Sequence, residues 1–181
     1  MFSQTSRVRI CGGSLLFVLG MLAACSSTVD RAHAVRRMLD AAGLHSVSVS
    51  EDGDKGVMTL NGNVPSEADK AKADSIAKSL AGPQVVSNQI AVVPPGFEKQ
   101  ARQINADLDK AIGQNLDAAL ILQNLRKGVN YAVKNGVVTL TGDVSSQQMR
   151  SGIQNIASRI PNVQQVVNEM QVKNQKASST N

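Results

Sequence analysis

The chain has no tryptophan, one tyrosine and three phenylalanines. Two of those rings, Phe2 and Phe17, fall in the first segment. The folded part must therefore build its cores from Val, Leu, Ile and Ala, and it has too few rings for the stacking platforms that hold bases or sugars. Imidazoles are as scarce. His33 and His45 are the only two, and neither has a spaced Cys, Asp or Glu set that would make a metal site or a nucleophile–base pair. The acids of Glu51-Asp52-Gly53-Asp54 lack the twelve-residue register and terminal Glu of a calcium loop. No enzyme activity, cofactor or metal is expected. A formal charge of +5 is modest, and it falls by two if Arg7 and Arg9 are removed with the first segment. Nucleic acid normally calls for a dense Lys/Arg face, so no nucleic-acid partner is expected.

Residues 1–24 read as a secretory signal: Arg7 and Arg9 form a basic start, Ile10 to Leu22 is apolar but shorter than the roughly 20 residues of a spanning helix, and small residues follow. The junction Leu22-Ala23-Ala24-Cys25 has the form of a lipobox, in which the Cys becomes the acylated N-terminus; an ordinary cut near Ala24 is the competing reading. Cys11 goes with the signal, which leaves Cys25 without an internal disulfide partner in an oxidising compartment. Residues 25–29 are then the lipidated N-terminus, and Ser26 in place of Asp points to the outer membrane, on its periplasmic face.

The rest of the chain is organised by a repeat. Gly136-Val137-Val138-Thr139-Leu140-Thr141-Gly142-Asp143-Val144 answers Gly56-Val57-Met58-Thr59-Leu60-Asn61-Gly62-Asn63-Val64, and the match runs on through Ile76/Ile156, Gln84/Gln164 and Asn88/Asn168. In the first copy, residues 30–93, a helix capped by Thr28 or Asp30 ends at Gly43. Strands follow around Val47 and over Val57–Leu60, then a helix opened by the capping box Ser66–Asp69 and closed by Gly82, then a strand to Val93. Arg31, Arg36 and Arg37 lie close enough to the anchor to feel lipid headgroups, although a solvated helix face is the simpler account of them. Pro94-Pro95-Gly96 is a short, stiff linker, and it predicts neighbouring domains with separate cores.

The second copy, residues 97–173, repeats the order. Ile104, Leu108, Ile112 and Leu116 recur every fourth residue on a first helix that Gly113 is expected to interrupt and that Arg126-Lys127-Gly128 is expected to close. The apolar run Ala118 to Leu122 is open to three uses: core, domain contact or membrane patch. Asn135-Gly136 between alternating segments is a type I′ hairpin signal. A helix behind Ser145 or Ser146 and a strand from Val163 to Val172 complete the unit, before a polar, disordered tail at 174–181. The predicted class is α+β: two small repeated domains, each helix-strand-strand-helix-strand, with two helices on one face of a three-stranded sheet.

This order, with Asn-Gly-Val-Val-Thr-Leu-Thr-Gly, a Ser-capped helix and Val-Gln-Gln-Val-Val-Asn, resembles the BON domain, closely over Gly128 to Lys173 and more loosely in the first copy. Two such domains behind a lipobox are similar to the dual-BON lipoproteins of the outer membrane. The resemblance implies a non-enzymatic periplasmic module that binds phospholipid and supports envelope integrity. It also implies that the first helix of the second domain meets lipid, and the expected contact set is Ile104, Leu108, Ile112 and Leu116 with Lys110, Arg126 and Lys127. The family's aromatic residue on that helix has no counterpart; Asp107 lies about where it would fall. Gly62 and Gly142 match the family's glycine after the second strand and are expected to be structural turns. Anionic membrane phospholipid is the expected partner. A module that assists outer-membrane protein assembly is the alternative.

Overall fold

The computed structural model describes residues 30–173, so the signal segment, the lipidation candidate Cys25 and the tail 174–181 lie outside the described residues. In chain order the elements are α1 (Arg31–Ala41), β1 (Val47–Asp52), β2 (Val57–Val64), α2 (Glu67–Leu80) and β3 (Val85–Val92), then α3 (Glu98–Leu122), β4 (Val129–Lys134), β5 (Val137–Val144), α4 (Gln147–Ala157), β6 (Gln165–Asn168) and β7 (Gln171–Val172). Each copy forms one sheet, β1-β2-β3 and β4-β5-β6, with an antiparallel hairpin first and a parallel crossover strand last. The strand expected over Val163–Val172 is interrupted at Glu169 and Met170 and resumes beside β5 as β7. The class is mixed α+β, as the pattern predicts.

Local chemistry explains the element ends. Asp30 accepts from His33 N at 3.0 Å to start α1, while Ser66 and Ser146 accept from Asp69 N and Met149 N to start α2 and α4. The first helix of each copy ends in the same way. Gly43 and Asn124 take positive φ, and Leu44 N and Leu125 N donate back to Leu39 O and Leu120 O at 2.9 and 2.8 Å. This is the Schellman arrangement. So Asn124 closes α3, and the expected stop at Arg126-Lys127-Gly128 lies beyond the helix. Gly113 does not interrupt it either: α3 is one helix of 25 residues. The Tyr131 ring packs beside it, and the Tyr131 hydroxyl donates to Gly113 O at 3.0 Å.

The two helices of each copy cover one face of its sheet. Val35, Leu39, Met58, Leu60, Ala77 and Ile90 form the first core, and Ile112, Leu116, Leu120, Leu140, Ile153 and Ala157 the second. The faces turned away from the helices are not independent. Val57 joins Val137 and Val167 in a third buried cluster that spans both copies. The Gln165 amide lies along the outer edge of β3, donating to Val86 O at 2.6 Å and accepting from Asn88 N at 3.0 Å. Asn135 Nδ2 donates to Gln89 O at 2.7 Å, and Lys55 Nζ meets Glu169 at 2.9 Å. The linker therefore separates two cores without separating the copies.

Asn88 and Asn168 show what the repeat preserves. Each side-chain oxygen accepts from the backbone N–H two residues on, Ile90 or Met170, and each amide donates to the helix above, at Lys70 O or Arg150 O. They tie down backbone groups along the last strand, an edge that would otherwise present unpaired donors. In the second copy Arg150 Nη2 adds a bond to Asn168 O at 2.8 Å.

Candidate functional site

A side-chain stripe spaced by four residues does not stay on one face of a helix. At 3.6 residues per turn it advances about 40° per step, so Ile104 and Leu120 are about 160° apart. The structure divides the expected lipid-contact set accordingly. Ile112 and Leu116 are fully buried in the second core with Leu120, and so are not available to a bilayer while the domain is folded. Ile104 and Leu108 are 58% and 40% exposed. The run Ala118 to Leu122 divides in the same way, Leu120 inside and Ile121 and Leu122 outside.

What remains exposed begins with a residue that periodicity did not single out. Phe97, the residue preceding α3, is 59% exposed, and on the helical wheel it falls within about 20° of Ile104. Apart from Tyr131 it is the only ring between residues 30 and 173. Its position one residue before an amphipathic run, in a chain so short of rings, was the available signal. Glu98 starts the helix beside it, accepting from Gly96 N at 2.9 Å, and that bond holds its carboxyl below the usual range. From Phe97 to Lys110 no residue is fully buried, whereas Ile112, Leu116 and Leu120 are. The first half of α3 thus presents Phe97, Ile104 and Leu108 outward without a core of its own. Asp109 anchors this half to the hairpin, accepting from Asn135 N at 2.8 Å and Gly136 N at 2.9 Å. Both turn residues have positive φ, as a type I′ turn requires.

The expected cations separate. Arg126 is held by the fold: its Nε meets Asp117 at 2.7 Å, its Nη1 donates to Val129 O at 2.5 Å, and its guanidinium lies 5.6 Å from the Tyr131 ring centre. It braces the start of β4. Burial, followed by the neighbouring Asp117, raises the Tyr131 hydroxyl above its ordinary pKa. Lys127 and Lys110 are exposed. With Lys99 and Arg102, Lys110 projects about 120–160° around α3 from Ile104, so these cations do not flank the apolar stripe. Gly62 and Gly142 have φ of 135° and 114°, and a Cβ at either would run into the backbone carbonyl of Ser46 or Gly128. They are not turns: each lies inside a strand, β2 or β5, where the backbone passes close to the start of β1 or β4. Cys25 lies outside the described residues.

The remaining polar groups have ordinary roles. His33 and His45 lie exposed beside Asp30 and Asp40, each at 3.4 Å. Asp52 accepts from Lys55 N at 3.1 Å, and that bond lowers its pKa. Among the described residues no group of three His, Cys, Asp or Glu could hold a metal ion, and no helix is long and apolar enough to cross a membrane.

Comparison with known proteins agrees with the duplicated geometry. The chain is 28% identical over 138 residues to the osmotically-inducible protein Y of Escherichia coli (strain K12), a match covering 75% of this chain and 67% of that protein. It is 29% identical over 133 residues to an uncharacterised protein in the gshII 5′ region of Anaplasma centrale, covering 72% and 83%. Among solved structures it aligns with the C-terminal domain of CdsD, a structural protein of the type III secretion system of Chlamydia trachomatis, at 14% identity and a TM-score of 0.33, over 81% of this chain and 98% of that one. The BON domain matches residues 27–94 and 104–174, one match to each helix-strand-strand-helix-strand unit. The chain therefore belongs to the BON domain family and carries the domain twice.

Proposed function

We propose that this is a lipid-anchored BON protein of the periplasmic face of the outer membrane, which binds anionic phospholipid through the first half of α3 and supports envelope integrity. The observation that carries this reading is the exposure of Phe97, Ile104 and Leu108 on a helical segment with no core of its own. An interfacial helix buries such a stripe at the level of the headgroups. About half of each side chain is still to be buried, so each contributes about 1 kcal/mol, and about 3 kcal/mol in all. That corresponds to millimolar affinity or weaker. The helix therefore assists an anchor and does not replace one, which is the role that acylation of Cys25 gives it. Because Lys99, Arg102 and Lys110 lie round the helix from the stripe, binding should depend on salt only mildly.

Flotation with phosphatidylglycerol and phosphatidylcholine vesicles tests the docking element. The chain carrying Cys25→Ser should bind the anionic vesicles weakly, and Ile104→Ser with Leu108→Ser should abolish that binding with the circular dichroism unchanged. Equal flotation of both proteins would overturn the assignment. Mass spectrometry of the mature N-terminus tests the anchor separately: an N-terminus lacking an acylated Cys25 removes it.

A further inference from the structure

The exposed face of α3 does not stop at Leu108. Phe97, Ile104, Ala111 and Ala118 recur every seven residues. So do Ala101, Leu108, Asn115 and Leu122, three or four places away from the first set. Together they make an unbroken 4-3-4-3-4-3-4 spacing that begins at Phe97 and ends at Leu122, the last residue of α3. None of these side chains is buried, and Leu122 is 83% exposed. The helix thus has two apolar seams. One, through Ile112, Leu116 and Leu120, is used by the second core; the other is left largely exposed, with Leu108 at its inner edge lining a cavity beside Ile90 and Val92 of β3.

A heptad repeat of this kind is the pattern by which two helices pack along their length, and a single Asn at one position of the seam sets register and pairing. Asn115 is that residue here: it sits in the same register as Ala101, Leu108 and Leu122. A bilayer has no use for an amide in the middle of its contact face, whereas two facing Asn side chains satisfy each other as donor and acceptor. Charge argues the same way. The positions flanking the seam on its open side are Gln100, Asp107 and Gln114, with the cations carried elsewhere on the helix. In a parallel pair Gln100 would face Asn105 and Gln114 would face Ala119, while the position opposite Asp107 is Ile112, which the second core covers, so no like charges oppose each other.

We propose that the occupant of this seam is a second copy of the chain, with the two α3 helices parallel and in register, and Asn115 facing Asn115 across a two-fold axis. The contact is small. A helix of 25 residues is about 37 Å long and about 10 Å wide, a footprint of about 400 Å². That is about half of the roughly 800 Å² per partner that stable complexes bury, so the pair is weak and transient. It also hides Phe97, Ile104 and Leu108. Where the docking proposed above operates, self-association and vesicle binding compete for one face.

Site-specific cross-linking tests the pairing without any lipid. In the full chain with Cys11→Ser and Cys25→Ser, Asn115→Cys should form a disulfide-linked dimer under mild oxidation at least tenfold faster than Lys110→Cys, which lies on another face of the same helix. Sedimentation velocity of the cysteine-free chain should show its average mass rising towards that of a dimer between about 10 and 500 μM. Asn115→Asp, which places two like charges at the axis, should keep it monomeric with unchanged circular dichroism. Equal cross-linking rates at the two positions, or a monomer throughout that range, overturn the proposal. Leu122→Glu keeps the two readings apart: it should weaken the dimer and leave flotation with phosphatidylglycerol vesicles intact. If it lowers flotation as well, while the mass stays monomeric, the whole seam belongs to the bilayer.

Discussion

Adding one methyl group at Gly62 should strongly destabilise the first copy. The glycine sits at φ 135°, a region that residues with a Cβ almost never enter, and forcing one there costs about 1–3 kcal/mol. The new Cβ would also fall inside contact distance of Ser46 O, with Ser46 C and Val47 Cα both at 3.1 Å. Those are backbone atoms, so relief requires the start of β1 to move. Val47 is paired with Gly62 and is buried in the first core; giving up about half of that burial costs about 1–1.5 kcal/mol more. The total for Gly62→Ala is about 2–4.5 kcal/mol, against about 3–10 kcal/mol for the stability of a unit of this size. Gly142→Ala repeats the experiment in the second copy, where the new Cβ meets Gly128 O, with Gly128 C at 3.3 Å and Asn130 N at 3.5 Å. Amide hydrogen exchange read by mass spectrometry resolves the two copies. Gly62→Ala should strip protection from β1, β2 and β3 while α4 and β5 keep theirs. Two outcomes would refute the reasoning. A loss below about 1 kcal/mol would show that the crossing is not tight, and simultaneous loss of protection in both copies would show that the separate cores do not melt separately.

Two further outcomes concern the junction between the copies. Gln165→Ala leaves Val86 O and Asn88 N without their partner and should cost about 1–3 kcal/mol, with faster exchange at the Asn88 amide as the readout; unchanged exchange there would mean that water replaces the amide without loss. Lys55 is raised above the usual lysine range, first by its bond to Glu169 and then by Asp52. A group whose pKa is raised on folding gives its full contribution below its unfolded value and loses it only as pH climbs through the folded one. The Lys55–Glu169 bridge should therefore be insensitive to pH between about 6 and 9 and should weaken above the lysine range. A titration comparing wild type with Lys55→Ala checks this, and a difference that vanished near neutrality would contradict it.

Most of the architecture was legible because it is written locally and twice. Ser66, Ser146, Gly43 and Asn135-Gly136 each fix a cap or a turn through their own backbone preferences, and the repeat supplied a second reading of each element. Gly113 misled because a glycine inside a helix is tolerated where packing holds the helix: α3 runs through it, and Tyr131, 18 residues on, donates to its carbonyl. Arg126 misled for the same reason, since its partners Asp117 and Val129 meet only in the fold. The every-fourth-residue stripe looked continuous because spacing in the sequence hides the angular drift that sends Ile104 outward and Leu116 inward. Gln165 was unreadable as well, because its role depends on a strand of the other copy.

That glutamine also reveals how the copies face each other. Gln165 plugs the outer edge of β3, and the corresponding residue of the first copy is Val85. The other contacts between the copies come in swapped pairs: Asn135 with Gln89 is answered by Lys55 with Glu169, and Val57 meets its own counterpart Val137. A contact of that self-complementary kind closes on itself, as in a symmetric dimer, here tied into one chain. The valine at 85 means that of the two equivalent amide plugs only one is made.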